Sequence, residues 1–182
     1  MTATSGNNPA NINPLNPNGF RFDIAKLKGL SFYVQSVALP GITLGEPIFG
    51  NPFAQTPIPG DMLTYGELSF DFIVDEDMKN YELIYKWIVA LGFPTGYDQY
   101  VNFINSDESA LIGELAKNYS DATLTILNNN NQANKYVRFT DCFPTSLDAL
   151  QFDSKVQDVQ YLVARTSFRF TYYKFVSENI EY

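Results

Sequence analysis

The chain has 182 residues, of which 45% are hydrophobic and 18% charged, so one domain with a substantial core is expected. Twelve Lys and Arg residues against 20 Asp and Glu residues give a formal net charge of −8, which disfavours general nucleic-acid binding. The absence of histidine and the presence of a single cysteine, Cys142, exclude Ser-His-Asp and Cys-His catalysis, histidine-based zinc sites and intrachain disulfides.

Residues 1–19 are polar and rich in Asn and Pro, a composition that predicts a flexible N-terminal arm. They lack the basic start and the apolar stretch of a signal peptide. The longest apolar runs of the chain fall far short of the ~20 residues that a membrane helix needs. We therefore expect one domain over residues 20–182 and no membrane segment.

Alternating apolar residues predict the first strands. Phe20, Phe22 and Ile24 recur with the two-residue period of a half-buried strand. A second apolar run covers residues 30–37. The short connection at residues 28–29 predicts that the two runs form a hairpin.

Residues 45–66 contain four prolines and four glycines, which predicts a long extended loop. The loop carries many apolar side chains, whose exposure to water is unfavourable. It either folds over its own domain or acts as an arm that docks on another subunit. For the second case, the predicted subunit contacts are Ile48, Phe49, Phe53, Ile58 and Leu63.

A third strand is predicted over residues 68–74, followed by the acidic residues Asp75, Glu76 and Asp77. From Met78 to Leu91, apolar residues recur at three- and four-residue spacing, the pattern of an amphipathic helix. The acidic residues complement the dipole at its start, and Gly92 and Pro94 mark its end. Its predicted core-facing residues are Tyr81, Ile84, Trp87 and Ile88.

The second half of the chain predicts more strands. A weak pattern over residues 106–115 suggests a short helix, and residues 122–127 and 136–140 predict a hairpin across an Asn-rich turn. The run 158–176 predicts one long two-faced strand, either straight or bent. The expected fold class is therefore mainly β (α+β), a β-sandwich or half-barrel with one flanking amphipathic helix.

Few residues are candidates for chemistry. The acidic triplet 75–77 could supply an acid and a base or bind a divalent cation, but capping of the helix explains it better. Cys142 is expected to be a buried, inert thiol. Arg165, Arg169 and Lys174 are too few for a nucleic-acid footprint. We expect no catalytic site, no metal and no cofactor.

Four segments, taken in chain order, resemble the tail-tube family of contractile-tailed bacteriophages and its tube-initiator relatives. The first contains Leu39, Pro40 and Gly41 near its end, and the second contains an Asn-Tyr pair with Trp87 six positions after Tyr81. The segments are residues 32–42, 77–87, 137–147 and 158–170.

The resemblance implies a β-sandwich flanked by one helix, the tail-tube fold. Six copies would form a ring in which strands of neighbouring subunits join into one β-barrel. Rings would stack into a tube that contacts sheath, baseplate and tape-measure proteins. The tube would be part of the virion, made in the host cytoplasm, and DNA would pass through it without specific binding. The net charge of −8 suggests a channel wall that repels phosphate.

Three alternatives remain open on the sequence. The first is another ring of the same tail, namely a tube initiator, a terminator or a baseplate hub. The second is a ligand- or carbohydrate-binding β-sandwich that uses tyrosines and Trp87 as stacking platforms, which requires Trp87 to be exposed. The third is a hydrolase with paired Asp and Glu.

Overall fold

The structure is a computed structural model that describes residues 13–27, 29–50, 54–92, 94–98, 100–101, 118–153, 161–177 and 180–181. Its described elements are antiparallel strands and one α-helix, which confirms the predicted mainly-β class. The strands are β1 Phe20–Ile24, β2 Val34–Ala38, β3 Ile42–Leu44, β4 Ile48–Gly50, β5 Gln55–Pro57, β6 Leu63–Tyr65, β7 Leu68–Ile73, β8 Ser120–Leu127, β9 Ala133–Leu147, β10 Val163–Arg169, β11 Tyr172–Ser177 and β12 Ile180–Glu181; the helix is α1 Lys79–Gly92.

Two sheets share the long strand β9. Sheet A has the order β1-β8-β9-β11-β12 and uses β9 as far as Cys142. Sheet B has the order β9-β10-β7-β2 and uses residues 143–147 of β9. The sheets therefore cannot separate without breaking β9.

A bulge in β9 marks the change of sheet. Asp141 has a φ of 57°, and residues 140 and 141 together oppose the single residue Asp121 of β8. The backbone N–H of Asp141 donates to Asp121 Oδ1 at 3.3 Å. Nearby, the Thr171 N–H donates to the Thr140 carbonyl at 3.0 Å, where the chain passes from β10 in sheet B to β11 in sheet A. Both crossings thus lie side by side.

Aromatic rings fill the space between the sheets. Phe22 of sheet A lies 5.0 Å from Phe70 of sheet B, measured between ring centroids. Phe70 lies 5.4 Å from Phe168, and Phe168 lies 5.7 Å from Trp87 of α1. The helix therefore closes the same core that the two sheets enclose.

The helix buries the side that its sequence pattern predicts. Ile84 and Trp87 are fully buried, and Tyr81 and Ile88 pack partly buried against the core. The ammonium group of Lys26 lies 4.9 Å from the Trp87 ring centroid. No helix in the described part of the chain is long and apolar enough to cross a membrane.

A buried amide joins the start of α1 to sheet B. Asn80 is 8% exposed, and its Nδ2 donates to the Ile73 carbonyl at 2.8 Å. Its Oδ1 accepts from the backbone N–H groups of Asp75 at 3.2 Å and Tyr81 at 2.8 Å. One side chain therefore fixes the turn between β7 and the helix.

Two sequence predictions about pairing are wrong. β1 does not form a hairpin with β2; it pairs with β8, and β2 pairs with β7, because a 3-10 turn at Leu30–Phe32 redirects the chain. The run 158–176 is not one strand either. It divides into β10 and β11 at residues 170–171, where the chain changes sheet.

The hairpin of β8 and β9 is confirmed, and both strands are longer than predicted. Most of the N-terminal arm (residues 1–12), the weak helix at 106–115 and residues 154–160 lie outside the described residues.

Asn80 offers a test of the joint between β7 and α1. Asn80→Ala leaves three partly buried backbone groups without their partner and should lower the free energy of unfolding by about 1–3 kcal/mol. Urea titration followed by the emission of Trp87, the one tryptophan of the sequence, measures this. Glu82→Ala, on the exposed side of the same helix, is the control. Equal stability of the two variants would contradict the assigned role of Asn80.

Candidate assembly surfaces

The stretch predicted to be an extended loop is an antiparallel hairpin, which we call the arm (residues 42–65). β3 pairs with β6 at its base, and β4 pairs with β5 towards its tip. Between the two pairs, the Gly45 N–H donates to the Met62 carbonyl at 2.8 Å and the Ile58 N–H to the Pro47 carbonyl at 3.0 Å. The described prolines of this stretch, Pro47, Pro57 and Pro59, thus lie within or beside short strands, where their missing N–H groups cost little.

Glycine permits the close approach of the two sides of the arm. The Gly60 N–H donates to the Gly45 carbonyl at 2.7 Å. A Cβ at Gly60 would lie 2.4 Å from the Gly45 oxygen, far inside van der Waals contact. At Gly50, by contrast, an added Cβ would meet nothing within 4 Å.

Aromatic contacts hold the base of the arm on the body. The Tyr65 ring lies 5.6 Å from Phe170 and 5.5 Å from Tyr173. Tyr173 also donates its hydroxyl hydrogen to the Pro40 carbonyl at 3.3 Å. The direction in which the arm leaves the body is therefore set by packing at its base.

Beyond its base, the arm exposes apolar side chains. Phe49 is 64% exposed, and the register places Leu44 opposite Leu63 on one face and Thr43 opposite Thr64 on the other. The exposed large apolar residues of the arm are Ile42, Leu44, Ile48, Phe49, Ile58, Met62 and Leu63.

The structure exposes four of the five residues predicted to contact other subunits, and Phe53 lies outside the described residues. Sequence reasoning missed Ile42 and Leu44, although their alternation with Thr43 was a signal.

Sheet B has two edges without a strand partner among the described residues. β2 hydrogen-bonds only to β7, and residues 143–147 of β9 hydrogen-bond only to β10. Open edges of this kind are templates for pairing with another chain. One edge lies at each side of the sheet, so two different edges of two copies could meet.

The outer face of sheet B is polar in its middle part, whereas Val163 opposite Ile73 and Phe143 opposite Arg169 place apolar side chains towards its ends. Its centre carries small hydroxyl residues in register, Ser69 beside Ser167 and Ser167 beside Ser146. The Thr145 hydroxyl donates to the Ser167 carbonyl at 3.1 Å.

Two ion pairs cross this polar face. Arg165 donates from Nε and Nη2 to the two Asp71 oxygens at 2.7 and 3.1 Å, and Ser36 Oγ donates to Asp71 Oδ2 at 2.7 Å. The hydrogen bond from Arg165 holds the pKa of Asp71 below its usual value. Arg169 Nη2 lies 2.9 Å from Glu67 Oε1. The sequence analysis named both arginines but could not identify their carboxylate partners, which depend on the strand register.

The candidates for chemistry do not come together. Cys142 is fully buried, and burial raises the pKa of its thiol to about 12. Asp77 pairs with Lys79, and the Asp75 carboxylate accepts the Glu76 N–H at 3.0 Å. Burial lowers the pKa of Lys26 to about 8, beside Trp87. Among the described residues, no three His, Cys, Asp or Glu side chains are grouped as a metal site would need.

Trp87 is 1% exposed, so it cannot serve as the open stacking platform that a carbohydrate-binding reading needs. Exposed aromatic residues do occur elsewhere, notably Phe32 and Tyr161.

No protein-family model matches the sequence, and no curated protein matches it. Solved structures do match. A chain of the tube-terminating cap of the anti-feeding prophage (AFP) is 15% identical with a TM-score of 0.63, over 97% of this chain and 99% of that one. A chain of the AFP baseplate is 10% identical with a TM-score of 0.60, over 92% of this chain and 99% of that one. A chain of the sheath-tube complex of an extracellular contractile injection system (PVC) is 16% identical with a TM-score of 0.57, over 97% and 99%.

The chain has the tail-tube fold. Nearly full coverage on both sides means that the likeness extends beyond one sheet to the whole domain of these chains. The fold expected from the resemblance in the sequence is thereby confirmed. The three matched chains come from a tube-terminating cap, a baseplate and a sheath-tube complex.

Gly60 offers a test of the arm geometry. Gly60→Ala should separate the two sides of the arm, because its Cβ would collide with the Gly45 carbonyl. Hydrogen exchange should then accelerate at the amides of Gly45 and Ile58, with no change in β8 and β9. Gly50→Ala is the matched control and should exchange as the wild type does. An arm that stays equally protected in both variants would contradict the hairpin.

Proposed function

We propose that this chain is a structural subunit of the tube of a contractile tail. Six copies form a ring, and the rings stack into a tube through which DNA passes. The proposed setting is a bacteriophage virion, with sheath, baseplate and tape-measure proteins as partners. The observation that carries the proposal is the exposed apolar arm on a chain with the tail-tube fold.

The arm supports stacking. A two-stranded hairpin is marginally stable alone, and this one presents seven large apolar side chains to solvent. Burial of such side chains in a second subunit contributes roughly 1.5–3 kcal/mol each before the costs of association are subtracted. The arm and the surface that receives it are different parts of the chain. A contact of that heterologous kind repeats from copy to copy and builds rings or filaments.

The open edges of sheet B support ring formation. When β2 of one copy pairs with residues 143–147 of β9 in the next, each copy uses two different edges, and the sheets join continuously. Closure of the ring then leaves no edge of sheet B free to aggregate. The number six is carried over from the family that the sequence resembles.

A second candidate is a ring that ends or starts the tube, such as a terminator, an initiator or a baseplate hub. The likeness to a tube-terminating cap chain, with a TM-score of 0.63, favours this candidate. Such a ring would assemble but would not propagate.

Electron microscopy of the purified protein over a concentration series, at low and moderate salt, tests the proposal. Stacked hollow rings are expected for a tube subunit. Single rings that never stack would favour the terminator or initiator. Monomers at every concentration and at both salt levels would argue against self-assembly.

Removal of the part of the arm beyond its base should abolish stacking without unfolding the body. Deletion of residues 47–60 leaves β3, β6 and the aromatic contacts of Tyr65 in place. We expect a cooperative unfolding transition close to that of the wild type, together with rings or monomers in place of tubes. Tubes formed at the wild-type concentration would refute the role of the arm.

A paired substitution tests which property of the arm matters. Leu44→Asn with Leu63→Asn removes one apolar cross-strand pair, and Thr43→Asn with Thr64→Asn changes the neighbouring pair on the other face. The leucine variant should raise the concentration needed for stacking at least tenfold, or about 1.4 kcal/mol, while the threonine variant should raise it much less. Sedimentation of tubes measures both. Equal effects would show that the hairpin backbone, and not its apolar face, drives stacking.

A further inference from the structure

Sheet B has one covered face and one open face. Its inner face carries buried side chains such as Phe70 and Phe168, which pack against sheet A and α1. Its outer face carries hydroxyl groups and ion pairs. Among the residues that the structure describes, the elements that pack on sheet B therefore lie on one side of that sheet.

This one-sidedness decides how a ring of joined B sheets would be oriented. Sheet A and α1 need space that widens away from the ring axis, and only the outside of a closed barrel offers it. The open face of sheet B then lines the channel. The conclusion follows from the packing of the two sheets together with the ring closure described above.

Every arginine on that open face of the described sheet is engaged by a carboxylate of the neighbouring strand. Arg165 holds Asp71 through two hydrogen bonds, and Arg169 holds Glu67 through one. The partners lie on β10 on one side, and on β7 and the residue just before it on the other. Their pairing is set by the backbone register and not by chance contact of mobile side chains.

We propose that the open face of sheet B is the channel wall, and that Asp71 and Glu67 keep Arg165 and Arg169 from binding the phosphates of a passing nucleic acid. The inference rests on the proposed function. The net charge of the chain alone would only repel phosphate. In this inference, two arginines of each subunit lie on the channel wall, and each is already bound by a carboxylate of the same subunit.

The chemistry of the guanidinium group explains why such a device is needed. A free Arg binds phosphate oxygens in the same bidentate geometry in which it binds a carboxylate. A ring would repeat each arginine around the channel, and phosphate contacts add up along a polyanion. Asp71 is fixed beside Arg165, so its effective concentration exceeds that of any phosphate that passes. Ser36 holds the same carboxylate in place from the other side.

The test frees the arginines in assembled rings. Asp71→Asn with Glu67→Gln removes both carboxylate charges from the open face. The control, Asp77→Asn with Glu82→Gln, makes the same change in net charge and frees Lys79 and Lys86 at the helix. The probe is a fluorescent single-stranded oligonucleotide at low salt.

We expect the sheet variant to bind the oligonucleotide about tenfold or more tightly than wild type, with added density on the ring axis in electron micrographs. The control should stay close to wild type. Equal gains in both variants, or no gain in the sheet variant, would overturn the inference.

A labelling experiment locates the face without changing any charge. Ser69→Cys places a thiol on the open face, and the native Cys142 is fully buried and contributes little background. In assembled rings, a small maleimide should label residue 69, while a maleimide on a particle wider than the channel should not. In dissociated subunits, both reagents should react. A bulky reagent that labels assembled rings as fast as subunits would place the face outside the channel and overturn the inference.

The outcomes separate this inference from the proposed function. Wild-type protein that never forms rings overturns both. Rings that form normally but fail either test overturn this inference alone. If the double variant does not assemble, the single variants Asp71→Asn and Glu67→Gln and the thiol at residue 69 still decide it.

Discussion

The bulge at Asp141 is the constraint on which the rest of the structure depends, because it carries strand β9 from one sheet into the other. Beyond the bulge β9 pairs with β10, whereas before it β9 pairs with β8 and β11. The crossing from β10 to β11 is tied to the same place by the bond from Thr171 to Thr140. The two sheets are therefore held face to face, and the aromatic core forms between them.

The core is enclosed in this way without the arm, and the apolar side chains of the arm stay exposed beyond its base. Tyr65, at the base of the arm, packs against Phe170 and Tyr173 of the body. From there outward, the hairpin is held by its own hydrogen bonds and by the contact between Gly45 and Gly60. A structure of this kind gains its full stability only when another molecule covers its apolar side chains. In the proposed tube, the arm would thus link the folding of one subunit to the assembly of several.

The ion pairs on the outer face of sheet B matter for the charge of that face and not for folding stability. Exposed ion pairs contribute little to folding stability, because water screens them and their long side chains must be ordered. The pairs of Arg165 with Asp71 and of Arg169 with Glu67 do, however, fix the charge that the face presents. Each guanidinium group is occupied, so the face offers hydrogen-bonding groups without an available cation. This combination suits the channel wall that we propose, because a passing nucleic acid would meet no available cation on it.

Local pattern in the sequence was sufficient for the elements that depend on one period. The apolar spacing predicted α1 and its burial of Trp87, and alternation predicted β1, β7 and the hairpin of β8 and β9. The resemblance carried by four short segments predicted the tail-tube fold. These features could be read because burial of one face determines both the spacing and the structure.

Pairing and partners were decided only by the tertiary structure. Periodicity says which residues face inward but not which strand lies alongside, so the partner of β1 and the break between β10 and β11 could not be read from it. The strand character of residues 45–66 was hidden, since prolines and glycines there indicate a loop unless the opposite strand is known. The carboxylates beside Arg165 and Arg169 were hidden for the same reason. Their pairing joins residues 94 and 102 positions apart in the chain, and only the register of β7 with β10 brings them together.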